Sequence, residues 1–205
     1  MEQRTEEWYN IRATRFTASD IVDICAASKD GVTAGMITKA MSKAVEHFLG
    51  VEEQPEYLPE AMQRGVDNEP FAFKKFAELK ALEFLEVTEC GFYEDGLNSG
   101  SSPDGIVSDN SVLEIKCPNR ETFFKLVATE EISKKYMFQM QKQMHDTKTN
   151  QCYFFNYYIH EGEELWHEII VKRDEEIINL IQSRIKIGSE LRDSYIAQIT
   201  KNKQF

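Results

Sequence analysis

Ser101-Ser102-Pro103-Asp104-Gly105-Ile106-Val107, the turn Ser108-Asp109-Asn110-Ser111 and then Val112-Leu113-Glu114-Ile115-Lys116-Cys117-Pro118 carry the densest chemistry in the chain. Leu113, Ile115 and Cys117 alternate with Glu114 and Lys116, and a strand's period of two places Glu114 and Lys116 on one face. Serine, aspartate and asparagine are turn formers, so Ile106-Val107 is expected to fold back on Val112-Leu113 as a hairpin. The fold-back brings Asp104 within about one residue of the position opposite Glu114.

Two carboxylates and an ammonium on neighbouring strands make a cation site. The acids repel one another unless a cation lies between them, and hard oxygen ligands with no thiolate or imidazole nearby favour Mg²⁺ or Mn²⁺. A lysine on the same face can position or deprotonate an attacking water beside a polarised phosphoryl group. The arrangement resembles the P-D, then D/E-x-K signature of the restriction-endonuclease-like nucleases. The plain alternative is an exposed hairpin with one ordinary ion pair. Pro103-Asp104-Gly105, Pro118 and the small residues Gly100 to Ser102 favour the site, because small side chains leave room for a phosphate.

The 205 residues suit a single domain, 1–205, and their 41% hydrophobic content fits a soluble globular protein. No apolar run is long enough to span a bilayer, and the opening residues Glu2, Arg4, Glu6 and Glu7 do not read as a signal peptide. A cytoplasmic location follows as an expectation, the host cytoplasm if the chain is viral. Cys25, Cys90, Cys117 and Cys152 form no C-x-x-C pair, which argues against a zinc site, a disulfide framework or an iron–sulfur cluster. His47, His145, His160 and His167 share no metal-ligand spacing and receive no catalytic part. The net charge of −11 opposes DNA binding in general, yet residues 115–150 hold seven basic residues against four acidic ones, which allows a local positive groove.

Along the chain, Glu7 to Arg12 reads as a short amphipathic turn, and Thr17 with Asp20 as a capping box for a helix running to about Ala27. Arg12, Arg15, Thr17 and Ser19 gather around that helix start, either as a phosphate pocket or as a cap with solvated arginines. A second helix is expected over about 34–49, its methionine stripe serving core or subunit contact. An exposed connection follows over 52–60, then a helix over about 61–80 that Pro70 should kink or restart. Strand material spans Leu85 to Cys90 and Phe92-Tyr93. Asn119 caps one helix, a Lys135 to Met144 helix follows, and Gln139 and Gln141 leave its apolar face in different directions. Gln151 to Ile159 and Leu165 to Val171 form a hairpin across Gly162, its aromatics better explained by burial than by base stacking. Asp174 caps a long final helix that ends in a basic tail. No repeat, Walker loop or G-x-G-x-x-G occurs.

In this order the chain resembles the phage-lambda-type exonucleases, the viral recombinase branch of the restriction-endonuclease-like superfamily. The resemblance rests on Trp8-x-x-x-Arg12 with Thr17-Ala18-Ser19, Arg64-Gly65 to Asn68-Glu69, Ser101 to Gly105, Leu113 to Pro118, and Tyr136-x-x-Gln139-x-Gln141. It implies an α/β fold with a central mixed sheet flanked by helices. It also implies that Asp104, Glu114 and the Ile115 carbonyl hold two Mg²⁺ ions, with Mn²⁺ as a substitute. Glu69 would support the metals and Lys116 would stand beside the attacking water. Arg12, Ser19, Ser102 and Gln139 would surround DNA phosphates, including the one at the 5′ end. The implied activity is 5′→3′ digestion of one strand from a duplex end, preferably 5′-phosphorylated, releasing 5′-mononucleotides and leaving a 3′ overhang. Implied partners are two further copies in a ring-shaped homotrimer and a single-strand annealing protein. Lys142 and His145, where aromatic residues are common, and Pro70 depart from the pattern. A structure-specific or restriction-type endonuclease of the same fold, or a catalytically inactive DNA-binding relative, are the alternatives.

Overall fold

Asn110 takes the left-handed conformation, φ 65°, and donates its N–H to the Val107 carbonyl at 3.0 Å, which closes the expected turn. The computed structural model describes residues 3–25, 31–52, 59–96 and 98–202. Residues 26 and 27 of the expected first helix, the stretch 53–58 of the expected connection and Lys203 of the basic tail lie outside them.

In chain order the described elements are α1 (Glu6–Arg12), β1 (Phe16–Thr17), a 3₁₀ turn (Ala18–Asp20), α2 (Ile21–Ile24), α3 (Ala34–Leu49), α4 (Glu60–Leu82), β2 (Val87–Thr88), β3 (Tyr93–Asp95) and β4 (Ser99–Ser101). There follow β5 (Gly105–Val107), β6 (Ser111–Lys116), α5 (Arg120–Thr129), α6 (Lys134–Thr147), β7 (Gln151–His160), β8 (Glu163–Lys172) and α7 (Glu175–Asn202). Five strands form a mixed sheet in the order β2-β5-β6-β7-β8, and β1, β4 and β3 form a smaller one. The α/β fold expected from the motifs is the one found.

β6 and β7 run parallel, whereas β5–β6 and β7–β8 are antiparallel hairpins. Parallel neighbours need a crossover, and here α5 and α6 supply it. The crossover buries one face of the sheet, where Val112, Cys152 and Phe154 meet Leu126, Met140 and Met144. The opposite face, with Leu113, Ile115, Tyr153, Phe155 and Tyr157, packs on Ala72 and Phe76 of α4. Covered on both sides, β7 is apolar on both faces but for Asn156, and Tyr153, Phe154, Phe155 and Tyr157 belong to the core. A third cluster, including Phe16, Ile24, Met36, Phe138 and Ile181, joins α2, α3, α6 and α7.

Three local expectations are corrected. Thr17 donates its N–H to Asp20 Oδ2 at 2.9 Å as the capping box requires, but the element it starts is a 3₁₀ turn and one helical turn capped at Cys25. Pro70 does not restart α4, which runs unbroken from Glu60 to Leu82. A proline costs a helix one N–H and displaces the carbonyl four residues back, and burial of Ala72 and Phe76 just beyond it offsets that loss. Gly100 does not open space for a phosphate: a Cβ there would lie 2.3 Å from Phe92 Cζ and 2.5 Å from the Tyr93 carbonyl oxygen.

On α3, Met36, Ala40 and Ala44 are buried, while Ile37, Met41, Val45 and Leu49 form an exposed apolar stripe at every fourth residue. Among the described residues no helix is long and apolar enough to cross a membrane.

Candidate active site

Gly105 pairs with Leu113, so Asp104 stands opposite Glu114 at the end of the hairpin and donates its N–H to the Leu113 carbonyl at 3.0 Å. Its carboxylate turns back along β6, where Oδ2 accepts the Ile115 N–H at 2.6 Å. Ile115 and Asp104 line the same cavity.

Glu114 shares its face with Val112 and Lys116 and points at α6. It is 1% exposed. Lys116 Nζ and Gln139 Nε2 both donate to Oε1, the latter at 2.7 Å, and Gln143 Nε2 donates to Oε2 at 2.5 Å. The Lys116 ammonium also lies 5.2 Å from the centre of the Tyr136 ring. Burial, and after it the Glu114 charge, hold the Asp104 carboxyl well above the usual carboxylate range, against the pull of Lys116. Burial disfavours the Lys116 ammonium, but Glu114 and Asp104 together outweigh it and raise its proton affinity. The three groups named from the sequence therefore converge, and the lysine is an ammonium.

A cavity of about 450 Å³ opens beside Asp104, lined also by Ile115, Glu69, Phe73, Arg4 and Gln3 among others. Glu69, from α4, is gripped by both arms of contact with Arg4 Nη2, at 2.8 and 2.9 Å. Gln3 Nε2 bridges the Cys90 and Pro103 carbonyls at 2.9 and 2.8 Å. The donor set suits a hard divalent cation, whose charge would relieve the burial and repulsion that disfavour the Asp104 carboxylate: two acids on neighbouring strands, a carbonyl and Glu69. Burial first, then nearby acids, push the Cys90 and Cys117 thiols up to about 12, so neither supplies a thiolate.

The residues expected around phosphates fall into two groups. Ser102 and Arg12 are joined through Trp8, whose Nε1–H donates to Ser102 Oγ at 2.9 Å and whose ring lies 3.9 Å beneath the Arg12 guanidinium carbon. Arg12 is clasped by Glu52 through Nε at 2.7 Å and Nη2 at 3.0 Å. Ser19 is exposed, its hydroxyl 2.9 Å from Thr17 Oγ1. Gln139 instead spends its amide on Glu114. Arg15 is not solvated either, since it pairs with Glu94 at 2.6 Å.

Lys142 does not line a positive groove. Its side chain is 0% exposed and neutralised by Asp146 and by Asp95, the latter at 2.9 Å. Arg120, Lys125, Lys134, Lys135 and Lys148 remain exposed. The same fold brings His145 to Asp95 and Asp146, ligand atoms within 4.8 Å of one another, a grouping invisible in the spacing because Asp95 comes from β3. The Lys142 ammonium already bridges its two carboxylates, so this second cluster has its cation.

Sequence reasoning missed Gln143, Arg4 and Glu52. Gln143 was findable: four residues beyond Gln139, it shares that residue's helix face. Gln141, by contrast, donates to the Lys172 carbonyl at 2.8 Å and accepts the Asp174 N–H at 2.8 Å, fastening the start of α7.

A model of the YqaJ-like viral recombinase domain matches residues 7–150, from α1 to the end of α6, and spans the whole cluster. The chain belongs to that family. The crystal structure of an alkaline exonuclease, LHK-Exo, from Laribacter hongkongensis resembles this recombinase domain at 27% identity and a TM-score of 0.83, over 96% of this chain and 97% of that one. The same protein in complex with dAMP gives a TM-score of 0.84 at 27% identity, again over 96% and 97% of the two chains. A phage-related exonuclease from Haemophilus somnus 129PT shares the fold, with a TM-score of 0.74 at 17% identity over 90% of this chain and 96% of that one. No curated protein sequence matches. The recombinase domain thus has the restriction-endonuclease-like fold, and the branch expected from its five motif blocks is the family found.

Proposed function

We propose that residues 1–205 form a single nuclease domain that digests one strand of linear duplex DNA from its 5′ end, dependent on Mg²⁺ or Mn²⁺. The convergence of Asp104, Glu114 and Lys116 on neighbouring strands, beside a cavity lined by Asp104, Ile115 and Glu69, carries this reading. The similarity to an alkaline exonuclease over nearly the whole of both chains supports it.

Asp104, Glu114, the Ile115 carbonyl and Glu69 would hold two divalent ions. When bound, the ions supply Lewis acidity that polarises the scissile phosphoryl group and offsets charge on the leaving oxygen. Glu114 is kept in one rotamer by Gln139 and Gln143, and Asp104 by the Ile115 N–H. The Lys116 ammonium donates a hydrogen bond to the attacking water and orients it toward phosphorus. One O–P bond forms and the bond from phosphorus to the 3′ oxygen of the terminal nucleotide breaks. Each turnover releases a 5′-mononucleotide, lengthens the 3′ overhang and leaves a new 5′-phosphate on the shortened strand. Arg12, Ser19 and Ser102 hold phosphates at that end, while Gln139 works through Glu114.

The exposed stripe on α3 supports assembly into a ring-shaped homotrimer, in which DNA would meet the inner wall and not the acidic exterior. A single-strand annealing protein is the proposed consumer of the overhang, in the host-cell cytoplasm. The test uses 5′-phosphorylated linear, 5′-hydroxyl linear and covalently closed circular duplex with Mg²⁺. The reading expects the phosphorylated linear DNA to disappear fastest, from its 5′ termini, with circles intact. Cutting of circles would replace it with an endonuclease.

A further inference from the structure

We infer that Glu52 is a specificity-determining residue of the terminal-phosphate subsite: its carboxylate occupies the Arg12 guanidinium and yields it to a phosphate monoester but not to a diester. This rests on the reading that Arg12 faces the 5′ end.

The geometry is that of an anion already bound. Both Glu52 oxygens meet one edge of the planar Arg12 guanidinium, through Nε and Nη2, as two phosphate oxygens would. Both side chains are largely out of water, 13% and 11% exposed, so an anion that takes this Nε and Nη2 edge must replace the carboxylate. The exchange is tolerable on the protein's side. Lys43, 3.9 Å from Glu52, keeps Glu46 at 3.0 Å when Glu52 departs.

Charge then decides which anion enters. A backbone diester carries one negative charge, no more than the carboxylate it must displace, and the carboxylate is tethered. A terminal monoester carries close to two at neutral pH, together with three strong acceptor oxygens. Glu52 therefore sets a threshold that internal phosphates do not pass. The site that reads the monoester is fixed relative to the chemistry, because Trp8 lies under Arg12 and donates to Ser102, two residues before Asp104. Since hydrolysis regenerates a 5′-monoester at every step, the threshold is met again after each cleavage and is missed at nicks or ends that lack the phosphate.

The test exploits Trp8, one of two tryptophans in the chain. In a Trp166→Phe background and with EDTA present to stop turnover, Trp8 fluorescence is titrated with methyl phosphate and with dimethyl phosphate. The unaltered subsite is expected to favour the monoester by about tenfold or more. Glu52→Gln should bind both and bring the ratio to within roughly threefold of unity, because the competitor is gone. In digestion with Mg²⁺, dimethyl phosphate should inhibit the same variant at a concentration about tenfold lower than it inhibits the unaltered protein, because the diester now enters the subsite. Glu52→Asp, which keeps the charge but is one methylene shorter, should fall between the two and serves if Glu52→Gln melts early. A Glu52→Gln protein that keeps the unaltered ratio, while Arg12→Ala abolishes it, overturns the inference and leaves the subsite standing. A ratio untouched by Arg12→Ala removes the subsite itself, and the inference with it.

Discussion

Replacing Gln143 with leucine isolates what the buried amide does for Glu114. Gln143 is 0% exposed, its Nε2 donates to Glu114 Oε2 at 2.5 Å, and its own Oε1 has no partner among the described residues. Removing a hydrogen bond to a buried charge costs roughly 1.5–3 kcal/mol, while removing the orphaned carbonyl returns about 1–3 kcal/mol. The two nearly cancel, so the metal-free protein should lose about 1 kcal/mol, a fall of roughly 2–4 °C in Tm for a chain of this size. Metal affinity has no such offset. With Oε2 no longer held, the carboxylate samples other rotamers, and residues that orient a metal ligand are worth about 10–100-fold in affinity. The half-saturating Mg²⁺ concentration for digestion should therefore rise at least about tenfold, with kcat largely recovered at saturating metal. Thermal melting without metal and activity across a Mg²⁺ series measure both quantities. An unchanged Mg²⁺ requirement would refute the assignment of Gln143 as the residue that positions Glu114.

Other substitutions probe separate parts of the account. Lys116→Ala and Asp104→Asn should each abolish digestion with the fold intact, and Asp104→Asn should raise the metal-free Tm by a few degrees because it removes a charge that burial, and after it Glu114, disfavours. Loss of stability in that variant would contradict the paired-acid description. Gly100→Ala should destabilise by about 1–3 kcal/mol, since its Cβ would strike the Tyr93 backbone as well as the Phe92 ring, and a neutral melt would show that the tight approach is absent. Cys90 should alkylate slowly at pH 8, and its rate should climb through pH 10 without a plateau, because its thiol is pushed up to about 12. The unfolded thiol ionises near 9, so the same shift gives stability that is full below that pH and is lost as pH rises from 9 toward 12.

Periodicity and turn chemistry made the centre of this fold readable. The alternation in Leu113 to Cys117, the turn at 108–111 and the capping residues Asn119 and Asp174 act locally, and each forms what its sequence dictates. What stayed hidden depends on contacts between distant segments. Glu52 meets Arg12 across forty residues and Asp95 meets Lys142 across forty-seven, separations at which no pattern in the chain records the pairing. Pro70 shows the same limit from the other side, since a local helix breaker is overruled where tertiary packing holds α4 together. Gly100 to Ser102 read as room for a ligand because small residues look alike from sequence, whether they admit a phosphate or, as at Gly100, a phenyl ring and a neighbouring strand.

The central claim is that Asp104, Glu114 and the Ile115 carbonyl form the cation site of this recombinase domain. Anomalous diffraction from crystals soaked in Mn²⁺ tests it most directly. The account predicts the strongest peak between the Asp104 and Glu114 carboxylates, lost in Asp104→Asn crystals. A peak at Asp95, His145 and Asp146 instead, or none in the cavity beside Glu69, would contradict it.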